Sequence, residues 1–344
     1  MKKNSKRKTN VKSSILVLLL IAILLIASTY AWFTSNRTVT ISSIDVNVAA
    51  STGIQISVDG INWKAVISNE DIKGASATYD DAVNVIPASM APVSTIGEVS
   101  GDRMGMYFGT VVANEDTGNY ELYTSATAED DATSGKYIVF DIFLKLDEAK
   151  TIHLTEGSDV THKATAGTAN DKGLKNAARV AFCVLGNAGL TSTVEQIQAI
   201  TGGTTSYIWE PNYDVHTQAG ANAASSIYGH NVALTGANQL SYYGVKAPIP
   251  KASPVLLNDH STDYFQQITN PIKTAAGHKL LLAADEANAG TIGTTELMAL
   301  SEGITKIRIY MWIEGQDVDC ENTASGSDIT FDLGFTIDPI VVEP

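Results

Sequence analysis

Only two cysteines, Cys183 and Cys320, occur in the 344 residues. That is too few for a disulfide-dense scaffold, so a packed interior has to hold the fold. Neither has a second cysteine or a histidine within a few residues, which leaves no zinc-binding spacing. Export would let the two pair as a disulfide; a pair of buried thiols is the equally ordinary alternative. The six histidines, His153, His162, His216, His230, His260 and His278, never stand four residues apart, and HExxH is missing. Helix-borne zinc hydrolysis therefore has no motif to rest on. A Gly-x-Ser-x-Gly elbow is missing too, and with it the local mark of a serine hydrolase. The sequence assigns no catalytic and no cofactor-binding residue, and the histidines are expected in surface loops.

Basic residues are scarce beyond the first dozen positions. Lys2, Lys3, Lys6, Arg7, Lys8 and Lys12 are 6 of the 23 lysines and arginines, while none of the 37 acids precedes Asp45. Past this leader, 23 less 6 leaves 17 basic residues against 37 acidic ones, a net charge of −20. That balance argues against nucleic acid and anionic lipid as partners. A hydrophobic share of 44 % is ample for a core, so the charge reads as a solvated acidic surface and not as a disordered tail.

One long apolar run is present, Ile15 to Ala27, directly after the lysine-rich leader. This is the order of a charged n-region and an h-region in a signal peptide. The small residues Thr29 and Ala31 fit a signal-peptidase site cutting between Ala31 and Trp32. The competing reading keeps residues 15–33 as an uncleaved membrane anchor, with Tyr30, Trp32 and Phe33 at the interface. Both readings put the remaining chain outside the cell, secreted or on the surface, because the lysines stay inside. Removing residues 1–31 leaves 344 less 31, or 313, residues, expected to form one elaborated extracellular domain over 32–344.

Within that domain the apolar residues alternate. Arg37 to Ala50 carries Val39 and Ile41 on one face and Ile44, Val46 and Val48 in the opposite phase, with a bulge expected at Ser42-Ser43. Thr52–Asp59 and Ile61–Ile67 flank Asp59-Gly60, a strong hairpin signal. Short strands are expected over Met104–Val112 and Tyr120–Thr124, within loops spanning 69–135. Lys136–Asp147 sets Phe140, Ile142, Leu144 and Leu146 against Asp141 and Lys145, and Ile152–Leu154 continues that edge. Lys172–Ala178 is weakly helical and feeds a buried strand over Arg179–Leu185. Thr191–Ile200 has the cap signal and spacing of a short helix. About 202–295 is Gly-, Ala-, Asn- and Ser-rich and reads as a loop-rich insertion. Lys306–Glu314 and Asp328–Asp338 alternate again, predicting that Ile307, Ile309, Met311, Phe331, Leu333 and Phe335 share one core. Strand signals with almost no amphipathic helix predict an all-β, mostly antiparallel sandwich.

Two stretches carry candidate sites. Asp317, Asp319 and Glu321 could supply several oxygen ligands to calcium, although the twelve-residue loop pattern is incomplete; the plainer reading is a hairpin connection whose acids face water. Tyr207-Ile-Trp209-Glu-Pro211-Asn212 offers a rigid apolar face for a ligand, or a satellite cluster that holds a loop down.

The junction STYAWFTSN, followed by ISSIDVNVAASTGIQISVDG, resembles exported Gram-positive proteins with SipW-type signal peptides, among them the TasA/camelysin group of biofilm-fibre proteins. The terminal WIEGQDVDC stretch resembles uncharacterised proteins with such leaders. The resemblance implies a jelly-roll-like sandwich and, in the fibre formers, subunits joined when an N-terminal strand enters the neighbour's sheet. The length and the 202–295 stretch depart from shorter members. A protease activity attributed to camelysin finds no zinc motif here. The function expected is a non-enzymatic secreted or cell-surface protein, a biofilm-matrix or fibre subunit that associates with itself or with other surface proteins. The donor strand would carry Val39, Ile41, Ile44, Val46 and Val48, whose β-branched side chains suit a pleated sheet. An ordinary first strand paired within its own domain is the alternative. The rival function is an adhesin that binds a glycan or host protein; a secreted hydrolase is the weakest.

Overall fold

The computed structural model describes residues 39–40, 48–50, 53–128, 135–155, 157–162, 171–203, 205–212, 215–228, 231–234, 243–257, 259–268, 297–321, 324 and 329–337. The leader, the Ala31–Trp32 junction, Ile41 to Val46, His230, His278 and the stretch 269–296 lie outside the described residues.

Alternation explains the two principal sheets. Their strands are β1 (Val48–Ala50), β2 (Gln55–Ser57), β3 (Asn84–Val85), β4 (Ile138–Leu146), β5 (Lys150–Leu154), β6 (Asp159–His162), β7 (Ala178–Ala188), β8 (Thr205–Trp209), β9 (Met298–Leu300), β10 (Gly303–Ile313) and β11 (Ile329–Thr336). One sheet runs β8-β7-β10-β4-β2, with β3 also on β4; the other runs β6-β11-β5-β9, with β1 on β11. Every pairing is antiparallel except β1 with β11. The fold is therefore all-β and mostly antiparallel, as the sequence predicts.

Between the sheets lies the apolar cluster that the period-two pattern foretells. Phe140, Ile142, Leu144 and Leu146 of β4, Ile307, Ile309, Met311 and Ile313 of β10, and Phe331, Leu333 and Phe335 of β11 are all in it. Phe140 stands opposite Ile309 and Ile142 opposite Ile307. The Phe182 and Phe335 rings meet edge-on across the layer at 5.8 Å. Burying each such side chain is worth about 1.5–3 kcal/mol relative to exposure.

The opposite face of the first sheet is covered as well, which alternation alone does not reveal. Tyr310, Trp312, Val139, Ala181 and Cys183 pack there against Val93, Val99, Met104, Met106 and Ile268. The cover comes from residues 93–106, with their ribbon of Val99–Ser100 and Arg103–Met104, and continues into a four-stranded sheet of Val255–Leu256, Tyr120–Ala126, Tyr107–Ala113 and Val93–Ser94. With the ribbon Tyr243–Val245 and Phe265–Gln267 it encloses its own small core of Val111, Leu122, Val245, Ile249, Leu257 and Phe265. Strand β10 is thus buried along its whole length.

Several expectations are corrected. The span read as an insertion begins with β8, an edge strand of the main sheet. Its Trp209 lies in the inter-sheet core and is fully buried, so Tyr207–Asn212 is neither a ligand platform nor a satellite. Asp59-Gly60 does turn the chain, with Gly60 at φ +72° and the Asp59 carboxylate accepting from the amides of Ile61 (2.9 Å) and Asn62 (2.8 Å). The return is only a reciprocal Ile56–Lys64 bridge (3.0 and 2.8 Å), because helix α1 (Asn69–Gly74), capped by the Ser68–Asp71 box, follows at once. The helix expected over Thr191–Ile200 is α2 (Val194–Gln198), with Thr193 and Gln196 as its capping box. A further helix, α3 (Gln218–Tyr228), lies in the stretch read as loops. No disulfide joins the cysteines: both are buried thiols, Cys183 on the outer face of the first sheet and Cys320 in the inter-sheet core.

Candidate functional site

The two edges of β11 are treated differently. Along one, β5 and β6 act as a single interrupted strand: His153 and Leu154 pair with Thr336 and Phe335, Asp159 to His162 with Asp332 to Ile329. The break at Thr155–Ser158 is closed by the Thr155 amide on the Gly334 carbonyl (2.8 Å) and the Gly334 amide on Ser158 Oγ (2.9 Å). Gly334 leaves room for this closure, since a Cβ would stand 2.1 Å from Thr155 Oγ1 and push that side chain aside. Along the other edge, among the described residues, only β1 pairs, in parallel and over three residues: Val48 with Leu333, Ala49 with Gly334, Ala50 with Phe335. A parallel pair needs a long connection, and here nearly the whole chain supplies it. The segment's earlier end, Val39–Thr40, pairs antiparallel with Ser89–Met90. At both described ends the donor-strand candidate is therefore paired within its own chain; Ile41, Ile44 and Val46 lie outside the described residues.

The acidic loop after β10 is neither solvated nor a cation cradle. Arg179, at the start of β7 and fully buried, directs Nη2 to Glu210 Oε1 (2.6 Å) and to Asp317 Oδ2 (2.5 Å). Its Nη1 donates to the carbonyls of Asn176 (3.2 Å) and Ala178 (3.0 Å). Asp319 Oδ2 meets His216 Nδ1 at 2.8 Å, and its Oδ1 accepts from the Thr217 amide (2.8 Å) and hydroxyl (2.9 Å). Thr217 Oγ1 in turn accepts the Gly220 amide (2.8 Å), capping α3. Gly220 admits this approach, since a Cβ would stand 2.2 Å from Asp319 Oδ1. Glu314 accepts from Trp312 Nε1 (3.1 Å) and from the Gln316 amide (3.0 Å). Asp317 and Asp319 thus face their own chain's donors, and Glu321 is fully buried. Among the described residues, no three acidic, histidine or cysteine side chains are disposed to hold a metal ion.

Burial dominates the protonation of this network. It pushes the Glu210 carboxyl up to about 7, opposed by Arg179 and reinforced by the charge of Asp317. It pushes Glu314 up to about 7 despite hydrogen bonds from Ser94, Trp312 and the Gln316 amide. Asp319 is also raised by burial, with His216 opposing. His216 and His153, expected at the surface, are buried.

A cleft of about 550 Å³ opens on the outer face of the first sheet, with Lys306 and Arg308 among the residues that line it and Asp80, Asp81 and Asp102 along its walls. Arg308 grips Asp141 through Nε–Oδ1 (2.7 Å) and Nη2–Oδ2 (3.1 Å). The Lys306 ammonium donates to Tyr79 Oη (2.6 Å) and the Gln198 carbonyl (3.2 Å), with Asp141 Oδ2 at 3.5 Å. Burial lowers the pKa of Lys306 and Asp141 opposes it. An ammonium has three donors, and these three partners occupy them, so Lys306 holds the sheet to its cover more than it offers a ligand contact.

Sequence reasoning missed Arg179, Glu210, His216 and Glu314 as one network. The available signal was the lone arginine heading the apolar run RVAFCVL, because a buried guanidinium demands carboxylate partners. No protein-family model, no curated protein and no solved structure matches the chain.

Proposed function

We propose that the chain is an exported, non-enzymatic structural protein of a Gram-positive cell surface or biofilm matrix, and that its subunits join by strand exchange at β11. The observation that carries this reading is the parallel, three-residue pairing of β1 with β11. A short N-terminal strand completes a sheet edge at the far end of the sequence, and the same main-chain bonds can be made by the N-terminal segment of a second copy. Strand addition satisfies an exposed edge through backbone hydrogen bonds, while alternate side chains set the register. The STYAWFTSN junction supports export, with the leader either cut before Trp32 or retained as an anchor, and its resemblance to the TasA/camelysin group supports a jelly-roll-like winding of the sheets.

Electron microscopy of the exported form tests the proposal. Filaments are expected at high protein concentration; a protein that stays monomeric there overturns the fibre reading. N-terminal sequencing of the same material should begin Trp-Phe-Thr, and recovery of an intact Lys2–Ala27 segment in membranes would replace cleavage by anchoring.

A further inference from the structure

Among the described residues, carboxylates outnumber cations in the cluster at the end of β10. Glu210, Glu314, Asp317 and Asp319 are four carboxylates, each at most 7 % exposed. Among the described residues, the cations facing them are the Arg179 guanidinium from β7 and, when protonated, the His216 imidazole that precedes α3. The uncharged groups reaching Glu314 are Trp312 Nε1 and the Gln316 amide, with the Ser94 hydroxyl from the covering sheet. If every acid were ionised and His216 neutral, the cluster would carry three uncompensated negative charges in a dry interior, where even one costs several kcal/mol. With Glu210 and Glu314 protonated and a proton shared in the His216–Asp319 pair, Asp317 balances Arg179 and the cluster is neutral.

The same groups fasten two further pieces of chain to the sheet. Asp319 holds Thr217, the cap of α3, and His216 beside it. Arg179 ties the loop at Asp317 to the segment that leaves β8 at Glu210. We propose that the cluster is a proton-held latch: below neutral pH it clamps α3 and the Glu314–Glu321 loop onto the end of the first sheet, and loss of its protons above neutral pH releases them. The direction follows from the charge count, since each proton lost adds a negative charge to a group of like charges. Burial raising both glutamates to about 7 places the change near neutrality.

Hydrogen exchange on the full chain in detergent, corrected for intrinsic rates, tests this at about pH 5.5 and about pH 8.5, either side of the expected titration. Amides of 216–228 and 314–321 should lose protection by roughly tenfold or more at the higher pH, while those of β4 and β10 keep theirs. The Glu210→Gln, Glu314→Gln double variant should flatten the difference. Should that variant not fold, infrared spectra of the unaltered chain serve instead: a protonated-carboxyl band at about pH 5.5 must vanish by about pH 8.5. Equal protection of α3 at both pH values, a pH dependence that survives in the double variant, or no protonated carboxyl at the lower pH would each overturn the latch.

Discussion

Arg179 shows how a residue's role escapes its neighbourhood in sequence. Its partner Asp317 is 138 residues away, and His216 reaches Asp319 across 103. Read locally, Asp317, Asp319 and Glu321 are a polar loop; only the fold brings a buried guanidinium to Asp317 and a buried imidazole to Asp319. Removing one member of such a pair strands the others without compensation, so Arg179→Met should cost about 3–5 kcal/mol, read as a shift in the urea midpoint. A loss below about 1 kcal/mol, the range of exposed pairs, would mean the network is wetter than its burial implies. Protonation gives a second prediction. Glu210 and Glu314 titrate near 7 in the folded chain against an ordinary 4.5, so the folded state keeps protons that the unfolded state has released. Their contribution is fully present below about pH 4.5 and is lost as pH rises through about 7, on the order of 3 kcal/mol for each. Asp59 works in the opposite sense: burial alone would raise it, but hydrogen bonds from Asn62, Ile61 and Thr78 hold it well below the usual range. Its stabilisation is lost as pH falls through that low value. Denaturation midpoints measured across pH should therefore peak in the mildly acidic range, and a maximum above about pH 8 would contradict the assignment.

Among the elements, β4, β10 and β11 were legible because one face of each is continuously apolar and the turns between strands are polar. Phe331→Ala in β11 should cost about 3–5 kcal/mol, measured by calorimetry or urea; an unmoved transition would remove β11 from the shared core. Gly334→Ala tests the break between β5 and β6. The new methyl must displace Thr155, so a loss of about 1–3 kcal/mol is expected, and no loss would show that the bulge yields freely. What the pattern could not show is coverage. Lys306, Arg308 and Asp141 look like a solvent face by residue type, yet Tyr79, the Gln198 carbonyl and the Asp102 carbonyl reach over Lys306 and Arg308 and hold them. Helix α3 escaped notice because its Ala, Gly, Asn and Ser residues form no amphipathic stripe with charged neighbours. Its cap at Thr217 was the one local sign.

At the scale of the molecule, β1 lies against β11, so the last described strand is edged by one of the first. The proposed strand exchange has a second copy supply that edge, which would turn a monomer into a fibre subunit. The sequence made the segment's β character legible through Val39, Val48 and their neighbours, but not its acceptor, which lies some 285 residues on, from Val48 to Leu333. The most direct test of the proposed strand exchange removes residues 32–50 from a chain that starts at Trp32 and supplies residues 37–50 as a peptide. Strand exchange predicts a truncated domain that stays folded and no longer polymerises, and a peptide that binds one to one and shifts the backbone signals of Ile329–Thr336. A truncated chain that unfolds, together with an intact chain that stays monomeric at high concentration, would contradict it.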